Sequence, residues 1–255
     1  MRRFPAEFED FLSPKGRRLL AGASPLAGAL ADPRRRFLAV DGLLDPGRVE
    51  AGRLLLDRYL LEHLARIDHP IPPEAIWDMT ESYAELLPKA MRVSTAAFER
   101  RRGHAFAAAE KIGLDAMLRS ASFRAFAERI AGRALAPRWG TQALCYGPGD
   151  YAGPHNDHHP DEPAARQGYV DIHLSLTSRA VAQQFLVYAV AGHFTRIEPA
   201  ARPGRVTAYR LPLWHYTTPL VARRGREAEA RRWVLLGTFL YRDSGLPPAA
   251  RTAAR

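Results

Sequence analysis

The sequence predicts an α+β protein in which a mainly helical front section packs on a β-sandwich or barrel. Apolar residues recur at helical spacing up to about residue 137. From Arg138 onward the pattern changes to short runs rich in Val, Leu, Tyr and Thr, separated by Gly and Pro, which is the signature of a many-stranded β domain. The chain has 255 residues, 47% hydrophobic and 25% charged, enough to bury one sizeable core.

The first 33 residues are broken by Pro and Gly and read as peripheral. Arg36–Val40 is a short apolar strand, and Asp41–Gly47 is a turn. A helix is expected from about Arg48 to Arg66, where Leu54, Leu55, Leu60, Leu61 and Leu64 suit a 3.6-residue period. Pro70, Pro72 and Pro73 break it, and Pro73 can open a second helix over roughly Glu74–Leu87. The weakly patterned stretch Pro88–Gly103 reads either as a lid in which one of Arg100–Arg102 meets an anionic group on the substrate or as a solvated face. Helices resume over Ala105–Arg119 and Ser122–Gly132, the second with Phe123, Phe126 and Ile130 on one face. Candidate strands follow at Thr141–Tyr146, Tyr169–Thr177, Gln184–Val190, His193–Ile197, Arg205–Tyr209 and Trp233–Tyr241. The expected division is a helical section at 1–137, a β core at 138–243 and a tail at 244–255.

Composition excludes several classes. One cysteine, Cys145, allows no intramolecular disulfide and no thiolate-rich zinc or iron–sulfur site, so any metal must be held by His, Asp or Glu. Formal charge is +10, which raises nucleic acid as a partner. The arginines are scattered in an alanine-rich chain, however, which argues against a dedicated binding surface. No apolar run approaches the roughly 20 residues that span a bilayer. The start, Met1-Arg2-Arg3-Phe4-Pro5, turns acidic at Glu7, Glu9 and Asp10 and lacks a signal segment, so a cytoplasmic protein is expected.

The chemistry concentrates in Leu144–Asp161, LCYGPGDYAGPHNDHHPD. Residues i and i+2 of an extended segment share a face, so His155 and Asp157 can offer an imidazole and a carboxylate to one ion. His159 and Asp161 have the same spacing, but Pro160 between them would disturb a strand. A distal histidine, His215, follows 58 residues after Asp157, with Pro219 four residues beyond it. Arg232 then heads the apolar strand Arg232-Trp233-Val234-Leu235-Leu236. Two histidines and one carboxylate would leave adjacent coordination positions open, as iron(II) oxygenases require.

The ordered set of Tyr146, Gly147–Gly149, His155-x-Asp157, the Pro203-Gly204 turn, His215 with Pro219, and Arg232-x-Val234-Leu235 resembles the 2-oxoglutarate-dependent iron(II) dioxygenases. Arg36–Leu44 also resembles the strand and turn that often begin such domains. The resemblance implies a double-stranded β-helix, a jelly-roll, cupin-like barrel, with Fe(II) on His155, Asp157 and His215. It implies 2-oxoglutarate as cosubstrate, consumed with O2, and an arginine to hold its distal carboxylate in a bidentate hydrogen-bonded pair. Arg232 is the choice because it shares a strand face with Val234 and Leu236; Arg231 and Arg226 are the alternatives. Tyr146 and Gln142, on one face of their strand, are further cosubstrate-binding candidates, with simple barrel packing an equal reading for Gln142. His173 reads as a core residue lining the barrel. Retention of the carboxylate at Asp157 favours hydroxylation or desaturation over halogenation.

For function the expectation is hydroxylation of an unactivated C–H bond in a small molecule, a free amino acid or related metabolite. The alternatives are a nucleic-acid- or protein-modifying oxygenase of the same superfamily, and a non-catalytic cupin-like metal-binding module. The strand after Arg232 lacks the second arginine of the nucleic-acid branch.

Overall fold

The computed structural model describes residues 3–32, 34–69, 90–157 and 169–242. Its strands are β1 (Phe37–Val40), β2 (Ala65–His69), β3 (Met91–Ala97), β4 (Gly140–Tyr146), β5 (Tyr151–His155), β6 (Tyr169–Thr177), β7 (Val181–Gln183), β8 (Phe185–Val190), β9 (His193–Pro199), β10 (Val206–Leu211), β11 (His215–Thr217), β12 (Val221–Ala222) and β13 (Arg232–Leu240). Helices are α1 (Pro14–Leu20), α2 (Pro46–Tyr59), α3 (His104–Lys111), α4 (Leu114–Leu118) and α5 (Ala121–Ala131).

All the strand pairs are antiparallel and follow the order β1-β10-β6-β13-β4-β3-β5-β11-β8-β9, with β2 beside β3 and a separate β7–β12 pair. The path rolls into a nearly closed barrel, the double-stranded β-helix. β3 makes the bend: Ser94–Ala97 pair with β4, while Met91 and Arg92 pair with β5. Near the opening of the path, Phe37 of the end strand β1 stacks on Tyr188 of β8, the neighbour of the other end strand, with ring centroids 4.2 Å apart.

Burial on both faces explains why β13 reads as an almost unbroken apolar run. Arg232, Val234, Leu236 and Thr238 face the barrel interior. Trp233, Leu235 and Phe239 join the outer core beneath the helices. The predicted stripe of α5 packs there, with Phe123 and Phe239 ring centroids 5.5 Å apart. Gly237 permits this approach, because a Cβ would come within 2.7 Å of the Phe123 ring. Ser120 caps α5 by accepting from Phe123 N, and Gly132 ends it in the left-handed conformation at φ 66°.

Several expectations change. The front segment is not peripheral: Phe4, Phe8, Phe11, Leu12, Leu19 and Leu30 are all buried. Phe8 lies 4.8 and 5.1 Å from the rings of Phe123 and Phe126. Each such phenyl, once buried, contributes about 1.5–3 kcal/mol. The Arg48–Arg66 helix stops at Tyr59, and its last residues pass through a 3-10 turn into β2. Residues 105–119 form two helices, because Gly113 sits at φ 79° and breaks the ladder. Residues 91–97 are a sheet strand rather than part of a lid. Arg100–Arg102 are exposed, and Arg101 lies 3.7 Å from Asp115. A boundary near 137 does not divide the sheet, since β1, β2 and β3 precede it. The helix expected at 74–87, the His159–Asp161 pair and the tail at 244–255 lie outside the described residues.

Candidate metal centre

The barrel holds a cavity of about 350 Å³, walled by β4, β6, β10 and β13 on one side and β5, β8 and β11 on the other. His155 ends β5 and His215 begins β11, and the two are direct partners across that pair. Their rings lie 4.3 Å apart. Asp157 closes the group, with Oδ2 3.5 Å from Nε2 of each histidine. Ligand atoms of all three fall within 4.8 Å of one another.

The route to this juxtaposition differs from strand alternation. β5 ends at His155, and Asp157 adopts φ 56°, in the left-handed region that Asp tolerates better than most residues. A turn, not an extended i, i+2 pair, swings the carboxylate back beside the imidazole.

Both imidazoles are fixed from behind. His155 Nδ1 lies 2.6 Å from the Gly153 carbonyl, and His215 Nδ1 lies 2.7 Å from the Leu213 carbonyl. A carbonyl can only accept, so each Nδ1 must donate, and each Nε2 is turned toward Asp157. Burial, reinforced by neighbouring His155, pushes the His215 pKa down to about 3. The ring is therefore neutral and ready to ligate at physiological pH. Two imidazoles and one carboxylate form a donor set that fits iron(II).

Arg232 sits at the closed end of the cavity, 4% exposed. Its Nε donates to Ser175 Oγ and its Nη1 to Gln184 Oε1, both at 3.0 Å. No carboxylate among the described residues pairs with it, and Nη2 makes no hydrogen bond there. Opposite lies Tyr146, its cross-strand partner, with the guanidinium carbon 5.5 Å from the ring centroid. Burial raises the Tyr146 pKa, opposed by Arg232 and by a hydrogen bond from Thr217. Arg231 does not line the cavity, and Arg226 pairs with Glu229 at the surface.

Gln142 lines the cavity but is not brought to Arg232. It lies opposite Leu236, four residues or about 13 Å along the strand from Tyr146, and donates to Thr95 Oγ1 at 2.7 Å. Sequence reasoning missed Ser175, Gln184, Thr217 and Asp171. Asp171 alone carried a signal, as a lone carboxylate inside the apolar run Tyr169–Leu176.

No family model matches the sequence, and no curated protein matches it significantly. Solved structures do match in fold. A non-heme alpha-ketoglutarate-dependent epimerase, SnoN from nogalamycin biosynthesis, shares 18% identity over 94% of this chain and 89% of its own, with TM-score 0.53. An oxidoreductase of the 2OG-Fe(II) oxygenase family from Burkholderia pseudomallei shares 13% over 87% and 90%, also at 0.53. A prolyl-4-hydroxylase from Pseudomonas putida shares 16% over 85% and 99%, at 0.50. No helix among the described residues is long and apolar enough to cross a membrane.

Proposed function

We propose that this chain, which has the fold of the 2-oxoglutarate/iron(II) oxygenases, hydroxylates an unactivated C–H bond of a small molecule, a free amino acid or related metabolite. One observation carries the reading. Arg232 is a buried cation with no carboxylate partner among the described residues, in the same cavity as a two-histidine, one-carboxylate cluster. A buried charge without an opposite charge is costly, and an anionic cosubstrate offsets that cost.

His155, Asp157 and His215 would hold the iron. Ser175 and Gln184 orient the guanidinium through Nε and Nη1, leaving Nη2 for the distal carboxylate of 2-oxoglutarate. Tyr146 and Thr217 line the same cavity. When bound, iron(II) with 2-oxoglutarate and O2 supplies the oxidising power that side chains lack. Ile67, Met91, Leu144, Val234 and Leu236 line the cavity and limit water beside the metal. A cavity of about 350 Å³ is within the range of small-molecule sites and supports a compact substrate.

The test is turnover with iron(II), 2-oxoglutarate and oxygen, screening free amino acids against peptides and single-stranded oligonucleotides. Expected are succinate and a product heavier by one oxygen atom with a small molecule. Succinate formation stimulated only by peptides or oligonucleotides would sink the small-molecule assignment, and no succinate under any condition would sink the oxygenase.

A further inference from the structure

Opposite the arginine, the barrel carries a second polar group that neither the metal nor 2-oxoglutarate uses. Asp171 turns inward from β6 and is 4% exposed, yet its Oδ1 has no hydrogen-bond partner among the described residues. His173, two residues further along the same face, places Nε2 3.8 Å from Asp171 Oδ2. That is within ion-pair range but too long for a hydrogen bond, and His173 Nε2 is likewise without a hydrogen-bond partner. Buried polar atoms in this condition are rare and call for an explanation.

Register fixes where the pair lies. On β13, Arg232 is level with Thr177 of β6, Leu236 with His173 and Thr238 with Asp171. The Asp171 row is thus six residues, about 20 Å, from the Arg232 row. Residues around Arg232 are fully buried, whereas Gln142, Tyr169, His173 and Thr238 are half-buried, so Asp171 is at the open end. The His173 ring lies 4.5 Å from Tyr209, and Tyr209 lies 4.9 Å from His215. One aromatic ring therefore separates the pair from the metal ligands.

We propose that Asp171, assisted by His173, is the substrate-recognition group of this cavity and takes a protonated amine carried by the substrate. The proposal rests on the reading of the opposite end as the iron and 2-oxoglutarate site. Charge selects the ligand. Arg232 and the metal are matched by the cosubstrate and Asp157, which leaves Asp171 as the acceptor without a Lys or Arg partner among the described residues. An ammonium N–H satisfies Oδ1, whereas an anion at this end would be repelled. The aromatic faces of Tyr169 and Tyr209 in the same cavity suit a cation further. Burial also raises the Asp171 pKa, opposed in part by His173 and by a hydrogen bond from Thr238, so a bound cation would favour the ionised carboxylate.

The test uses two probes matched in length, n-pentylammonium and 1-pentanol, titrated calorimetrically into the anaerobic protein, both metal-free and loaded with iron(II) and 2-oxoglutarate. Wild-type protein is expected to prefer the ammonium by about tenfold or more, a difference typical of a charge-assisted hydrogen bond. Asp171→Asn should erase the preference and His173→Gln should reduce it, each variant checked for an unchanged unfolding midpoint. Equal affinity of wild type for the two probes overturns the proposal without recourse to any variant. So does an ammonium preference that survives in folded Asp171→Asn. The iron–2-oxoglutarate absorption band separates the two readings: a band without amine preference removes only the amine site. Amine preference that depends on Asp171 without a band removes only the cosubstrate reading.

Discussion

Arg232 and Tyr146 face each other in register across β13 and β4, the guanidinium carbon 5.5 Å from the phenol ring. The aromatic face gives the cation some compensation for its burial, but no anion. Replacing Arg232 with Gln should therefore weaken 2-oxoglutarate binding by about tenfold to a hundredfold, the range for losing a charged hydrogen-bond partner. Iron affinity should change little. Arg232→Lys should not restore full affinity, because an ammonium cannot reproduce the planar fork. Titrating the two ligands separately checks this, and equal losses for metal and cosubstrate would contradict it.

Gly153 supports His155 from behind through its carbonyl. A Cβ at Gly153 would come within 2.6 Å of the Ala90 carbonyl oxygen, so β5 would have to shift. Gly153→Ala is expected to lower metal affinity by about tenfold or more, as loss of a ligand-orienting partner does. Iron binding measured by competition with a chelator reports it; unchanged affinity would show that the carbonyl contact is not needed.

His215 makes the metal-free fold sensitive to acid. Folded, it stays neutral to about pH 3, because burial and His155 oppose its charge; the ordinary value is 6.5. Between these values the unfolded chain binds the additional proton. Stability is thus fully present above about pH 6.5 and declines as pH falls toward 3. Urea midpoints of the metal-free protein should drop from pH 7.5 to pH 5, and His215→Gln should flatten that slope. An identical slope in the variant would contradict the assignment.

Ser120 joins the front segment to α5. Its Oγ accepts from Phe8 N and Phe123 N, each at 3.2 Å, and donates to the Met117 carbonyl at 2.8 Å. Ser120→Ala would leave a buried amide without its acceptor and remove the helix cap, which should cost about 1–3 kcal/mol. Denaturant unfolding measures it, and a cost below about 0.5 kcal/mol would show that water replaces the hydroxyl.

Legibility in the sequence follows the range of the forces involved. The strand Tyr169–Thr177 and the stripe Phe123, Phe126, Ile130 were readable, because period and burial agree locally. Phe4, Phe8 and Phe11 were misread as peripheral, since Pro and Gly around them hide a partner more than a hundred residues away. β5 escaped notice because Gly153 and Pro154 interrupt any strand pattern. His155 and Asp157 do lie side by side, but through a turn at φ 56° and not through the strand alternation expected. Ser175 and Gln184 acquire meaning only from Arg232, with which they make contact across 57 and 48 residues of chain.

Absorption spectroscopy under anaerobic conditions is the most direct test that His155, Asp157, His215 and Arg232 form a single iron and 2-oxoglutarate site. Adding iron(II) and 2-oxoglutarate to wild-type protein should produce a visible metal-to-ligand charge-transfer band. The band should saturate at equal amounts of metal, cosubstrate and chain, and Asp157→Ala should abolish it. A wild-type protein without the band, or Asp157→Ala with the band at full strength, would contradict the site.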